Sequence, residues 1–86
     1  MANYLHYNFY AGNSNVIQVT LSGWANVLLL DDTNYNNYRN GRRYQYYGGL
    51  AEISPYTIRP PYQGHWNIVV NRGGYPGSVT ASVKLL

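Results

Sequence analysis

Apolar and polar side chains alternate with a period of two along much of this chain, and no stretch of 11 residues carries a clean i, i+3, i+4, i+7 apolar pattern. From Tyr4 to Tyr10 the alternation puts Leu5, Tyr7 and Phe9 on one face. From Val16 to Leu21 it puts Ile17, Val19 and Leu21 on one face, with Gln18 and Thr20 opposite. Both segments predict half-buried antiparallel strands. The turn formers Ala11-Gly12-Asn13-Ser14-Asn15 separate them, and Ser22-Gly23 ends the second.

Trp24 to Asp31 holds the one continuous apolar run, Val27 to Leu30, and predicts a central strand covered on both faces and leaving the core at Asp31-Asp32. Asp32 to Gly41 is polar and rich in Asn, with Tyr35 and Tyr38 three apart, which fits a helical turn or an ordered loop. Arg43 to Tyr47 and Leu50 to Ile53 read as strands around a bulge or tight turn at Gly48-Gly49. Pro55, Pro60 and Pro61 confine Tyr56 to Arg59 to an edge strand. His65 to Asn71 and Ser78 to Leu86 alternate cleanly around a glycine-rich turn and predict a closing hairpin. The expected inward residues there are Trp66, Ile68, Val70, Val79, Ala81, Val83 and Leu85, joining Val27 and Leu29 in the core. The sum is an all-β domain over residues 1–86: a small antiparallel β-sandwich or barrel of seven or eight short strands.

Composition adds a bias toward recognition. The chain uses eleven Tyr against one Phe, and a surface of tyrosine rings with hydroxyls is suited to stacking and hydrogen bonding. With no Cys, disulfides and thiolate zinc sites are excluded. A charged fraction of 10% offers little repulsion between copies, so an 86-residue domain with this much tyrosine is expected to form a homo-oligomer. No membrane-spanning run is present, and Met1-Ala2-Asn3-Tyr4 lacks the features of a secretory leader, so a cytoplasmic location is expected. The net charge of +3, with five of six basic residues being Arg, favours an anionic partner.

Asp31, Asp32, Glu52, His6 and His65 are the whole stock of acids, bases and metal ligands. Asp31 and Asp32, adjacent at a strand end, read as an Asx-capped exit rather than a catalytic pair. His6 and His65 lack the spacing of a metal site, and His65 reads as an outward, hydrogen-bonded edge residue. Neither a catalytic residue, a metal nor a cofactor is expected, and the chain is read as a non-enzyme. Trp24 and Trp66 sit in apolar strands and read as core. Asn71 to Ser78 places glycine amides next to Arg72 and could cradle a phosphate, although hairpin geometry alone explains the glycines.

The candidate binding segment runs from Tyr38 to Gly49. Tyr38, Arg39, Arg42, Arg43, Tyr46 and Tyr47 combine guanidinium groups for anionic oxygen with aromatic faces for stacking, and Arg72 is a secondary contact. The competing reading makes Tyr44 and Tyr46 core residues and Arg42-Arg43 a solvated turn. Six basic residues and no recognition helix argue against general nucleic-acid binding.

The ordered string Leu5-His6-Tyr7, Leu29-Leu30-Asp31-Asp32-x-Asn34-Tyr35-x-x-Tyr38-Arg39-x-Gly41, Tyr46-Tyr47-Gly48-Gly49, Ser54-Pro55, Gly64-His65-Trp66 and Gly73-Gly74-Tyr75-x-Gly77 resembles a bacterial family of small domains of unknown function. Members of that family stand alone or are attached to TIR-type domains. The resemblance implies a ligand-recognition role beside a signalling partner, with a small nucleotide-type signal as the anion and the domain as sensor or sequestering protein. More loosely, the Leu-Asp-Asp strand end, the Asn-Tyr-x-x-Tyr loop and the late Trp-x-Ile-Val-Val strand resemble the jelly-roll sandwiches of prepeptidase C-terminal and Golgi-dynamics domains. The alternatives are a carbohydrate-binding sandwich and a structural module that docks a partner domain.

Overall fold

The computed structural model describes residues 4–86. Seven strands form two antiparallel sheets: β1 (Leu5–Ala11), β2 (Ile17–Leu21), β3 (Ala25–Asp31), β4 (Tyr47–Ala51), β5 (Tyr56–Ile58), β6 (Gly64–Asn71) and β7 (Ala81–Leu85). One sheet has the order β1-β6-β3-β4, the other β5-β2-β7. A single helix, α1 (Asp32–Arg39), leaves the end of β3. The expected all-β sandwich is the observed fold.

The core lies between the sheets. Ile17, Val19 and Leu21 of β2 meet Val27 and Leu29 of β3 and Trp66, Ile68 and Val70 of β6, all buried. Each such side chain contributes about 1.5–3 kcal/mol through burial. Leu5, Tyr7 and Phe9 pack against this cluster from β1, on the face the alternation predicts. The Tyr7 hydroxyl donates to the carbonyl of Ala81 on β7 at 2.8 Å, joining the two sheets where β1 runs past β7. Trp66 places its indole N–H on the Tyr62 carbonyl at 3.0 Å, so its burial leaves no donor unpaired.

A second apolar cluster explains the unbroken run in β3. Leu28, Leu30 and Val69 point to the outer face of the larger sheet, where Tyr4, Tyr35, Tyr38 and Tyr44 cover them. Helix α1 is held there by its ends. Asp31 caps it, its Oδ1 accepting from the Asn34 backbone N–H at 2.8 Å and from Asn34 Nδ2 at 3.0 Å. Gly41, at φ 72°, stops it in the left-handed conformation, with its N–H on the Tyr38 carbonyl.

Several expectations fail in instructive ways. The closing hairpin does not form: β6 pairs with β1 and β3, while β7 crosses to the other sheet and pairs with β2. Residues 72–80 are therefore a crossover between sheets, which clean alternation on both sides could not distinguish from a hairpin turn. Leu85, expected inward, is 42% exposed, and Val79, Ala81 and Val83 are only partly buried. Arg43 to Tyr46 form no strand. Gly48-Gly49, read as a bulge or turn, lie inside β4 at positive φ, with Gly48 so close to β3 that a Cβ would collide with the Val27 carbonyl oxygen. His65 faces outward and is hydrogen-bonded, but on an interior strand rather than an edge.

Candidate functional site

The outer face of the larger sheet, beside α1, is where polar side chains and aromatic rings converge. Asn71 ends β6 there and joins three elements through one amide. Its Nδ2 donates to the Tyr38 hydroxyl oxygen at 2.9 Å. Its Oδ1 accepts from Asn26 Nδ2 of β3 at 3.0 Å and from the Gly73 backbone N–H at 2.9 Å. With both ends engaged, the amide orientation is fixed. Because Asn71 donates to it, Tyr38 retains its own O–H as a donor, and burial raises its hydroxyl above the ordinary tyrosine value.

Arg72, the next residue, lays its guanidinium over the Trp24 ring, 4.4 Å from the centroid. Tyr75 meets the same ring edge-on at 5.5 Å. Gly77, at φ 98°, leaves the room this needs: a Cβ there would sit 3.3 Å from Arg72 Nη1. Trp24 is thus a half-buried support for Arg72 and not the core residue its apolar flanks suggest. The Arg72 Nε is buried and has no hydrogen-bond partner among the described residues. A buried charged donor left without an acceptor costs about 1–3 kcal/mol or more.

Asn26, Tyr38, Asn71, Arg72 and Tyr75 border a groove of about 980 Å³, a size suited to a small organic ligand, with Trp24 behind Arg72 and outside the lining. Tyr38 enters it from α1, Tyr44 and Tyr46 from the α1–β4 connection, and Arg72 and Tyr75 from the β6–β7 crossover. Leu28 of β3 and Leu50 of β4 supply apolar surface. Tyr38, Tyr44 and Tyr46 form a ring series, with centroids 5.1 Å and then 5.8 Å apart. Arg72 is the one charged side chain among the described residues that line the groove, and no carboxylate lines it.

Of the residues singled out by sequence, Tyr38, Tyr46 and Arg72 meet at this groove. Tyr47 turns toward a second cavity of about 480 Å³, shared with Asp31, Asn34 and Gln45. Arg39, Arg42 and Arg43 are exposed and outside the groove lining. Arg39 closes the last turn of α1, and Arg42 Nη1 reaches Asn37 Oδ1 at 3.4 Å. The backbone explains the split: Asn34 Oδ1 accepts from the Gln45 N–H at 2.8 Å, pinning the connection so that the arginines precede the anchored tyrosines. Tyr44 packs partly buried on the outer cluster, as the competing core reading has it, whereas Tyr46 is 49% exposed. The phosphate cradle expected over Asn71 to Ser78 loses two of its amides, because the Gly73 N–H is taken by Asn71 and the Tyr75 N–H by the Arg72 carbonyl. Asn26 and Trp24 were not legible as site residues, whereas Asn71 and Tyr75 fell within the candidate phosphate turn without being singled out. An Asn directly before Arg-Gly-Gly is the one local signal for them, and it marks a turn equally well.

A second polar network lies further along the same face. Asp32 Oδ1 accepts from His65 Nδ1 at 2.7 Å and from Asn67 Nδ2 at 2.9 Å. Asn67, 2% exposed, also donates to the Leu30 carbonyl at 3.2 Å, which directs its Oδ1 to His6 Nε2 at 2.9 Å. His6 therefore carries its proton on Nε2 and stacks on Tyr35, with ring centroids 4.0 Å apart and planes 9° from parallel. The Asn67 amide, and to a lesser degree His65, hold the Asp32 carboxyl below its ordinary value against the opposing effect of burial. Burial and the Tyr4 hydroxyl, 3.2 Å away, push Tyr35 up to about 12. Asp32 is thus committed to internal partners, and among the described residues no group of three or more His, Cys, Asp or Glu side chains is placed to hold a metal. No helix among them is long and apolar enough to cross a membrane.

No curated protein and no solved structure matches the chain. One family model matches residues 2–86, essentially the whole length over which the sandwich, its capped helix and the glycine-rich crossover are built. The chain therefore belongs to the DUF1883 family, a domain of unknown function.

Proposed function

We propose that this domain is a non-enzymatic recognition module that binds a small anionic ligand of nucleotide type in the tyrosine-lined groove. The observation that carries the reading is Arg72, held over the Trp24 ring as the one charged side chain among the described residues lining a groove otherwise made of aromatic, apolar and neutral polar groups. A phosphate oxygen would pair with the Arg72 guanidinium. The rings of Tyr44, Tyr46 and Tyr75 would take the planar base, since stacking on a tyrosine ring contributes about 1–3 kcal/mol. Arg39, Arg42 and Arg43, exposed nearby in sequence, would act on the approach of the ligand through long-range attraction. A module of this kind fits a sensor or sequestering role in the cytoplasm, next to a TIR-type signalling partner. Self-association would cover the exposed Tyr47, Leu50 and Leu86.

Calorimetric titration against a panel of mononucleotides tests the reading. Binding by the parent protein that falls about ten- to a hundredfold in Arg72→Gln supports it, the loss expected for one charge-assisted hydrogen bond. Absence of binding across the whole panel removes it.

A carbohydrate reading draws on a different place. Tyr10 is 73% exposed, and its ring lies 4.8 Å from that of His65, beside Asp32 and Asn8. An open ring flanked by amide and carboxylate groups suits a neutral sugar. Such binding would survive added salt, whereas phosphate binding at Arg72 would weaken.

A further inference from the structure

We infer that the ligand of the groove is a free mononucleotide-sized phosphodiester, carrying one phosphate and one negative charge, and not a nucleoside triphosphate with its metal ion. This rests on the groove being the nucleotide site. It follows from the charges within reach. Arg72 is the one charged side chain among the described residues lining the groove. A diester is neutralised by a single guanidinium. A triphosphate brings three to four negative charges, by the ordinary acidity of its phosphates, and all but one would meet tyrosine rings, leucines and glycines.

Proteins usually accommodate a triphosphate through Mg²⁺, itself bound by one or two carboxylates. None is available here. No carboxylate lines the groove. Asp31 is occupied in capping α1 and lines the second cavity, and Asp32 is held by His65 and Asn67. Glu52 lies exposed beyond the end of β4. Two of the crossover's backbone amides, those of Gly73 and Tyr75, are spent inside the loop. The neutral donor left on Tyr38 suits a second phosphate oxygen of the same group, and the tyrosine rings suit one base.

A strand of nucleic acid also presents phosphodiesters. It would need a track of cations, and the described residues lining this groove include one.

The test compares, on the full chain, the 3′,5′-cyclic monophosphates and the triphosphates of adenosine, guanosine, cytidine and uridine, each with and without millimolar Mg²⁺. A single-stranded deoxythymidine oligonucleotide is included. The expected result is that the cyclic diester of the preferred base binds at least as tightly as its triphosphate and at least tenfold tighter per site than the oligonucleotide. Mg²⁺ should leave its affinity unchanged. A triphosphate that binds tighter than the diester, or binding that Mg²⁺ strengthens, overturns the inference while the nucleotide reading stands. Tighter binding of the oligonucleotide overturns the choice of a free ligand. Silence of every nucleotide removes the underlying reading and this inference with it.

Discussion

The guanidinium of Arg72 rests on the indole ring of Trp24, 4.4 Å from its centroid, while its Nε faces inward without an acceptor. The ring fixes where the charge sits. Trp66, the other tryptophan, lies in the core at 1% exposure. The two indoles therefore report different things, Trp24 the groove and Trp66 the packing of the sandwich. Trp24→Phe should abolish any ligand-linked change in intrinsic fluorescence and lower thermal stability slightly, by the ~0.5–2 kcal/mol of a cation–ring contact at most. Trp66→Ala should cost ~3–5 kcal/mol, seen in denaturant unfolding, because it empties the largest core side chain.

Gly77 is coupled to Arg72 by space. At φ 98°, with Arg72 Nη1 3.3 Å from where a Cβ would lie, Gly77→Ala strains the backbone and displaces the guanidinium. The expected cost is ~1–2 kcal/mol in stability, together with a fall in nucleotide affinity. Gly23→Ala, where a Cβ would meet nothing within 4 Å, is the matched control and should leave affinity unchanged. Calorimetry and thermal melts on the pair check both.

Asn67 is the buried polar residue of the outer face and serves the Leu30 carbonyl, Asp32 and His6 together. Asn67→Leu leaves those groups without their partner and should destabilise by ~1–3 kcal/mol. Asn67→Asp should be worse near neutral pH, since a second carboxylate would then face Asp32. Urea denaturation at pH 7 distinguishes the three proteins.

Acid should weaken the domain through Asp32. Its folded pKa lies below the ordinary 3.8, held there by Asn67 and His65. The stabilisation is therefore present above the unfolded value and is lost as pH falls through the folded one, a window below about pH 4. Its side chain is 60% exposed, so solvent screening keeps the effect small. Stability of the parent should decline with falling pH more than that of Asp32→Asn, as thermal melts between pH 5 and pH 2.5 would reveal. Parallel curves would contradict the assignment.

Period-two alternation carried the inward faces of β1, β2 and β6, which pack against the opposite sheet, and the unbroken apolar run carried β3, covered on both faces. It failed at β7. The segment alternates whether it folds back on β6 or crosses to β2, and only the packing of the two sheets decides between them. The Tyr38 to Gly49 segment stood out in the sequence as a candidate for recognition, and Tyr38 and Tyr46 line the groove. The weight placed on Arg39, Arg42 and Arg43 came from their number. The backbone bond from Gln45 to Asn34 keeps the connection's tyrosines at the groove, and it joins residues 11 apart that no local pattern links. Arg72 was legible as a charge, but its partner Trp24 stands 48 residues away in sequence and is brought to it only by the pairing of β3 with β6.

The central claim is that Arg72, and not the arginines of the α1–β4 connection, receives the anion. Side-chain and backbone ¹H–¹⁵N spectra during titration with a cyclic mononucleotide test it most directly. The account predicts that the Arg72 side-chain N–H resonances shift and saturate, with concerted shifts at Asn71 and Tyr75 and little change at Arg39, Arg42 and Arg43. Saturating shifts at Arg42 or Arg43 with the Arg72 side-chain resonances unmoved would contradict it.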